Sequence, residues 1–143
     1  MSFLRNIVSV IIGIAVGGLV VFLIERSGHE MFSVYSNVPD IGEKEAFSTF
    51  VGNLPIKAFL LLLLAHSLGT VIAAFIATLL SGLSRPIPAI TIGVLMLSAG
   101  VINLISIPHP VWYQISEIIL YFPAALLGYK LSIETRRKIT SLK

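Results

Sequence analysis

Four long apolar runs constrain what this chain can fold into. They span residues 7–24, 54–80, 87–107 and 111–131. Each run has 18 residues or more, and a helix needs about 20 to cross roughly 30 Å of hydrocarbon. In lipid only helices and closed barrels satisfy every backbone hydrogen bond, and these runs lack the alternation of barrel strands. The sequence therefore predicts an all-α integral membrane protein, a bundle of four transmembrane helices.

The composition supports one membrane domain over residues 1–143. Only 12% of the residues are charged, whereas a soluble domain carries about 25%. We expect helices at about 5–31, 54–81, 86–107 and 110–133, with an outer loop at 32–53 and a basic C-terminal tail at 134–143. A signal peptide is the alternative for the first run, with Arg5 as its basic flank. Its length and its Glu25-Arg26 ending favour an uncleaved helix.

The outer loop contains a predicted short amphipathic helix. In the sequence PDIGE, residues 39–43, Asp40 can cap a helix and Glu43 can complete a capping box. The apolar residues that follow fall on one helical face: Ala46, Phe47 and Phe50. Such a helix is expected to lie on the membrane surface.

Basic residues are distributed unequally between the two ends of the predicted bundle. Seven flank the end that carries both termini: Arg5, Arg85, Lys130, Arg136, Arg137, Lys138 and Lys143. Three flank the other end: Arg26, Lys44 and Lys57. Positively charged flanks stay in the cytoplasm. We therefore expect a multi-pass protein of the bacterial inner membrane, in contact with membrane lipids, with both termini cytoplasmic.

Small residues at four-residue spacing predict where the helices touch, because lipid gives no hydrophobic drive for their association. Such stripes occur in all four runs: Gly13, Gly17 and Gly18; Gly69, Ala73 and Ala77; Ala89 and Gly93; Ala124 and Gly128. They favour a compact bundle. Because so small a bundle leaves little room for a pathway, we also expect a homo-oligomer or contacts with another membrane protein.

Polar side chains converge at the outer end of the predicted bundle. An ionisable group at the centre of a membrane helix costs about 2.5–3.5 kcal/mol on insertion scales, so it faces the protein interior or a cavity. Five residues form a candidate outward-facing pocket: Glu25, His29, Asn103, Gln114 and Glu117. Lys57 or Arg26 would supply the counter-charge. The alternative is that Glu25 and His29 only mark the helix end, whereas Glu117 lies two turns inside and needs a partner.

His66 is the deepest polar residue, roughly 18 Å along the second helix from Leu54. Thr70 continues its face, so the pair is a candidate for an intramembrane relay or for a structural hydrogen bond. The pair His29-Glu30 fails the zinc-protease pattern because residue 33 is serine. His29 and His109 are weak metal candidates, and we expect no cofactor.

Three short motifs carry a family resemblance. They are GHE after the first helix, GNLP before the second and IPHPVW before the fourth. In these motifs the chain resembles a group of small bacterial four-helix membrane proteins whose function is not established. The resemblance implies the same fold and carries no activity with it.

Enzymatic and nucleic-acid-binding signatures are absent from the sequence. It has no cysteine, no GxSxG elbow, no phosphate-binding glycine loop and no basic stretch interleaved with aromatic residues. The sequence therefore favours a non-catalytic accessory or structural membrane subunit that acts through helix–helix contacts. An oligomeric transporter or channel for a small solute, ion or proton, using the polar pocket, is the alternative. A metal-binding or enzymatic membrane protein is the second alternative.

Overall fold

The computed structural model describes residues 2–40 and 42–142, with only the backbone of Ser2. Within these residues lie five α-helices: α1 (Ser2–Met31), α2 (Lys44–Gly52), α3 (Ile56–Ser81), α4 (Ile87–Ser106) and α5 (Val111–Ser141). A 3-10 helix, Ser33–Asn37, follows α1, and the described residues contain no β-strand. The all-α prediction is confirmed. Met1, Ile41 and Lys143, which the expected domain, loop and tail include, lie outside the described residues.

Four of the described helices, α1, α3, α4 and α5, are long and apolar enough to cross a membrane. The most apolar 18-residue segments of these helices have mean hydropathies of 3.0, 2.3, 2.0 and 1.2, in that order. The 20 residues of α4 measure about 30 Å, which matches the thickness of a hydrocarbon core. The four apolar runs of the sequence therefore correspond one to one with these four helices.

The last helix is longer than the sequence predicts. The prediction of a basic tail after residue 133 is wrong, because α5 continues to Ser141. The apolar run ends near residue 131, but residues 134–141 contain neither glycine nor proline and several good helix formers. The end of a hydrophobic segment was a poor guide to the end of the helix. The basic residues of this segment therefore lie on a helix.

The short helix α2 forms without the predicted capping box. Asp40 Oδ1 accepts a hydrogen bond from the backbone N–H of Gly42 at 2.8 Å. Glu43, the residue before α2, makes no side-chain cap bond. Aspartate can bond a backbone group two residues on and so stabilise a turn in place of a helix start. The helix consequently begins later, at Lys44.

The apolar face of α2 packs onto the bundle. It belongs to one cluster with residues of α3 and α5: Phe47, Phe50, Val51, Phe59 and Tyr113. Ala46, which the sequence places on the same face, is exposed. The side chains that were predicted to face the membrane surface therefore cover one end of the protein. We call this end the α2 end.

Helix α1 packs along α3 at two glycines. A Cβ atom added at Gly13 would lie 2.6 Å from the carbonyl oxygen of Ala73, and one at Gly17 would lie 2.5 Å from that of Gly69. Both positions therefore require glycine, because real Cβ atoms do not approach backbone so closely. The predicted stripes on these two helices are confirmed as their mutual contact. Gly18 faces open space and takes no part in it.

Helix α5 packs on α3 and α4 in the same manner. A Cβ atom at Gly128 would lie 2.9 Å from Cβ of Ala74 and 2.9 Å from the backbone nitrogen of Phe75. On α4, a Cβ atom at Gly93 would lie 3.3 Å from Cβ of Ala125. These small-residue stripes are therefore occupied by contacts within one chain.

The end opposite α2 is held by an arginine. This end, which we call the basic end, carries the first residues of α1 and α4 and the last residues of α3 and α5. Arg136 Nη1 donates to the carbonyl of Leu83 at 2.8 Å, and Nη2 donates to the carbonyl of Thr78. Gly82 ends α3 with a φ of 72°. A guanidinium at this place satisfies carbonyls that the helix end leaves without partners.

Candidate functional site

Ionisable side chains from three helices meet at one imidazole. His66 Nδ1 lies 2.8 Å from Glu117 Oε1 of α5, and His66 Nε2 lies 3.3 Å from Glu25 Oε1 of α1. Tyr121 donates its hydroxyl hydrogen to the same Glu117 oxygen at 2.7 Å. We call Glu25, His66, Glu117 and Tyr121 the His66 cluster. It lies on the face of α3 that α1 and α5 cover.

Helical spacing explains why these side chains meet. Glu117 and Tyr121 are four residues apart and therefore share one face of α5. Side chains on a helix lean toward its N-terminus, so Glu25 points back along α1 toward the glycine contact. Because Gly17 and Gly69 bring α1 and α3 together there, the Glu25 carboxylate reaches the ring of His66.

Burial makes the pairing in this cluster important. The side chain of Glu117 is 0% exposed and that of His66 is 16% exposed, whereas that of Glu25 is 37% exposed. A buried carboxylate without a partner is strongly unfavourable. An imidazolium can donate from both ring nitrogens, but a neutral imidazole has one donor and one acceptor. To donate a hydrogen bond to each of the two carboxylates, the ring of His66 must therefore carry one more proton than a neutral imidazole does.

A cavity of about 220 Å³ lies between the His66 cluster and α2. Aromatic side chains from three elements line it: Tyr35, Phe47, Phe50 and Tyr113. Glu25 and His66 also line it, as do His29 and Asn103. We call this space the aromatic cavity. It connects the polar groups of the cluster to the α2 end of the protein.

Tyr35, in the 3-10 helix, is a central member of this aromatic wall. Its ring centroid lies 4.4 Å from that of His29 and 6.1 Å from that of Phe50. Burial raises the pKa of Tyr35, and the nearby Glu25 carboxylate raises it further. The phenol therefore stays neutral and presents a ring face and a hydroxyl near a carboxylate.

A second cavity, of about 360 Å³, opens between α1 and α4. Glu25, His66 and Asn103 line this side cavity as well as the aromatic cavity. Most contacts of α1 are with α3 and few are with α4, which leaves the gap. Gly18, which has open space beside it, borders the side cavity. The cluster is thus accessible from two directions.

The predicted polar pocket is partly assembled in the structure. Three of its five residues line the aromatic cavity: Glu25, His29 and Asn103. Glu117 lies behind His66 and contacts it directly. Gln114 is not in the pocket, because its Nε2 donates to the backbone carbonyl of His109 at 2.7 Å. Thr70 Oγ1 donates to the backbone carbonyl of His66 at 2.7 Å, which is a local hydrogen bond within α3.

The counter-charge differs from the one that the sequence suggests. Arg26 lies 3.9 Å from Glu30 on the surface, and Lys57 is exposed. His66 takes their place, because its ring contacts both Glu25 and Glu117. Along their helices His66 and Glu117 lie about 15 Å and about 9 Å from the first residues, and their side chains meet across this difference.

The polar pocket predicted from the sequence contains none of the tyrosines that the structure places at the site. Tyr113, Glu117 and Tyr121 repeat at four-residue spacing, which places all three on one face of α5. This pattern is a usable signal, because a buried hydroxyl seeks an acceptor and a buried carboxylate seeks donors. Tyr35 gave no comparable signal, since it lies in a loop whose path over the bundle depends on tertiary packing.

The weak metal candidates do not gather into a site. Among the described residues no three His, Cys, Asp or Glu side chains are grouped so that they could hold a metal ion. His29 packs against Tyr35, and the ring centroid of His109 lies 5.0 Å from that of Tyr113. His109 Nδ1 lies 2.7 Å from the carbonyl oxygen of Ile107. Burial, the largest effect, lowers the pKa of His109.

Comparisons with known proteins identify no protein related to this chain. No protein-family model matches the chain, and neither a curated protein nor a solved structure is significantly similar to it. The resemblance of the three short motifs to small bacterial four-helix membrane proteins therefore stays a prediction.

Proposed function

We propose that the four long helices cross a bacterial inner membrane, with both termini in the cytoplasm. The length and hydropathy of the helices support insertion. The excess of lysine and arginine at the basic end supports this orientation. In this arrangement the basic end faces the cytoplasm, and the aromatic cavity lies toward the outer side.

We propose that the protein belongs to the transporter class and exchanges a proton between the outer side and the His66 cluster. The observation that carries this proposal is a buried imidazole between two carboxylates, one of which borders two cavities. Ionisable groups within membrane helices that face a cavity mark proton and ion pathways. This geometry favours the transporter over the accessory subunit.

The two carboxylates would have different roles in this exchange. Glu117 is fully buried, and Tyr121 holds one of its oxygens. Glu117 would act as an anchor that favours the charged imidazolium and holds the ring in place. Glu25 is partly exposed at the cavities and contacts the other ring nitrogen. It would pass the proton between His66 Nε2 and water in the cavities.

The accessory subunit is the second candidate, and α1 supports it. Only 17% of the most apolar 18-residue segment of this helix is buried within the chain. Large apolar side chains on it are exposed: Phe3, Leu4, Ile11, Leu19 and Phe22. Because the small-residue stripes are already used inside the chain, a partner helix would have to bind through these larger side chains. Crosslinking in native membranes from residue 11 or 19 would detect such a partner.

Nuclear magnetic resonance of nitrogen-15-labelled histidine tests the proton exchange. The chain has three histidines, and a His66→Gln variant identifies the signals of His66. In lipid nanodiscs, between about pH 4 and about pH 10, we expect the His66 ring to change its protonation state. In Glu117→Gln the change should occur at lower pH, because an anion that favours the imidazolium is lost. Glu30→Gln, on the surface, is the matched control and should leave it unchanged.

A His66 ring whose signals stay constant over this whole range would contradict the proposed exchange. The same holds if Glu117→Gln and Glu30→Gln give identical titrations, since the buried carboxylate would then have no influence on the imidazole.

A further inference from the structure

We propose that the aromatic cavity is a binding site for a small organic ammonium ion, whose charge lies against the Glu25 carboxylate. This inference rests on the proposed function, because the ammonium ion and His66 share Glu25. It adds the chemical class of the solute to the proton exchange proposed above.

The charge of the cavity wall favours a cation. Glu25 contributes a carboxylate, and the described lining residues include no lysine or arginine. The ion-pair partner of Glu25 in the described structure is His66, at 3.3 Å. When His66 is neutral, this carboxylate faces the cavity without a cation beside it. An ammonium ion that enters the cavity would supply one.

The aromatic wall favours an organic cation over a metal ion. Tyr35, Phe47 and Phe50 form a continuous group, with ring centroids 6.1 Å apart between Tyr35 and Phe50 and 6.3 Å apart between Phe47 and Phe50. Ring faces attract ammonium groups and are the usual means of binding alkylated ammonium ions. A small metal ion would require several oxygen ligands, whereas most of this wall is carbon.

The size of the cavity restricts the solute to a compact ion. Sites for drug-sized ligands have volumes of about 300–1,000 Å³. The aromatic cavity, at about 220 Å³, lies just below that range. A trimethylammonium group with a short substituent, such as choline, is of suitable size, and a large planar cation is not.

Sharing of Glu25 couples the bound ion to the proton on His66. Five titratable groups lie near this ring or its two carboxylates: Glu25 from α1, Tyr113, Glu117 and Tyr121 from α5, and His109 before α5. The ammonium ion and the imidazolium compete for the Glu25 carboxylate. Binding of the ion therefore favours release of the proton, and by linkage a higher pH favours binding.

Equilibrium dialysis of radiolabelled choline against the protein in lipid nanodiscs tests the inference. The matched competitor is 3,3-dimethylbutanol, which has the same shape without the charge. We expect choline to bind and the alcohol to compete poorly, with Glu25→Gln weakening binding at least about tenfold, the equivalent of one ion-pair contact. Phe50→Leu should weaken it about threefold to tenfold, because a ring face is lost.

Two control variants isolate these effects. Glu30→Gln removes a carboxylate outside the cavity, and Phe3→Leu removes an aromatic ring at the basic end. Both should bind choline as the wild type does. The affinity of the wild type should also rise as the pH increases through the titration of His66.

Equal binding of choline and the neutral alcohol would overturn the inference, as would unchanged binding in Glu25→Gln or no binding of choline at all. If His66 titrates as proposed and choline does not bind, the ammonium site fails and the proton exchange stands. If choline binds through Glu25 while His66 does not titrate, the exchange fails and the binding site stands.

Discussion

The two ends of the bundle are built on different principles. From its middle to the basic end, α1 and α3 touch through backbone at Gly13 and Gly17, and these contacts leave no room for a side chain. Toward the α2 end the same helices carry ionisable groups and border two cavities. The contrast shows where this protein is closely packed and where it has space for a solute.

The packed half determines the geometry of the open half. Gly17 lies eight residues before Glu25 on α1, and Gly69 lies three residues after His66 on α3. The close contact between these two glycines sets how near the carboxylate comes to the imidazole. A close contact of small residues therefore positions a polar site. A substitution in either half should alter the structure of the other half.

The largest effect is expected from removing the imidazole. His66→Leu leaves Glu117 buried without its cationic partner and should lower the free energy of unfolding by about 3 kcal/mol. The double variant His66→Leu/Glu117→Leu removes both charges and should recover most of that loss. Unfolding by SDS in mixed micelles measures both. A double variant as unstable as the single one would show that packing, not the unpaired charge, dominates at this end.

A smaller effect is expected at the glycine contact. Gly17→Leu should lower the free energy of unfolding by about 2 kcal/mol, because the added side chain must push α1 away from α3. Gly18→Leu, directed into open space, is the matched control and should cost much less. In Gly17→Leu the titration of His66 should also move toward lower pH, since Glu25 is carried away from it. An unchanged titration would mean that the two halves are independent.

The smallest effect is expected at the basic end. Arg136→Met removes the hydrogen bonds to the carbonyls of Thr78, in the last turn of α3, and Leu83, just after it, and should lower the free energy of unfolding by about 1 kcal/mol. Arg137→Met removes a neighbouring exposed cation and should have little effect. The same SDS unfolding measurement compares the two variants. Equal losses of stability in the two variants would indicate that the total charge of this end matters and that the contact made by Arg136 does not.

Much of the fold follows from the sequence, because long apolar runs with few charges are a strong signal for long helices. Four apolar runs of sufficient length predict the four long helices, and the Gly13/Gly17 and Gly69/Ala73 stripes predict the α1–α3 contact. The end of α5 was missed, because hydropathy reports burial in lipid and not helix propensity. The start of α2 was missed because Asp40 can stabilise a turn as readily as a helix start.

The candidate site is predicted in part. Glu25, Asn103 and Glu117 converge because all three lie at similar distances from the same end of the bundle. The partner of the carboxylates was not identified, because sequence fixes neither the rotation of a helix about its axis nor its shift along a neighbour. The packed structure supplies both, and it brings His66 Nδ1 to 2.8 Å from Glu117.

The continuation of α5 to Ser141 has a consequence for its three consecutive cations, Arg136, Arg137 and Lys138. On a helix, adjacent residues project about 100° apart around the axis, so each of the three has its own fixed bearing. Arg136 turns toward the end of α3, and its two neighbours are directed elsewhere. An unstructured segment would make these charges interchangeable, but on the helix each one projects in its own direction.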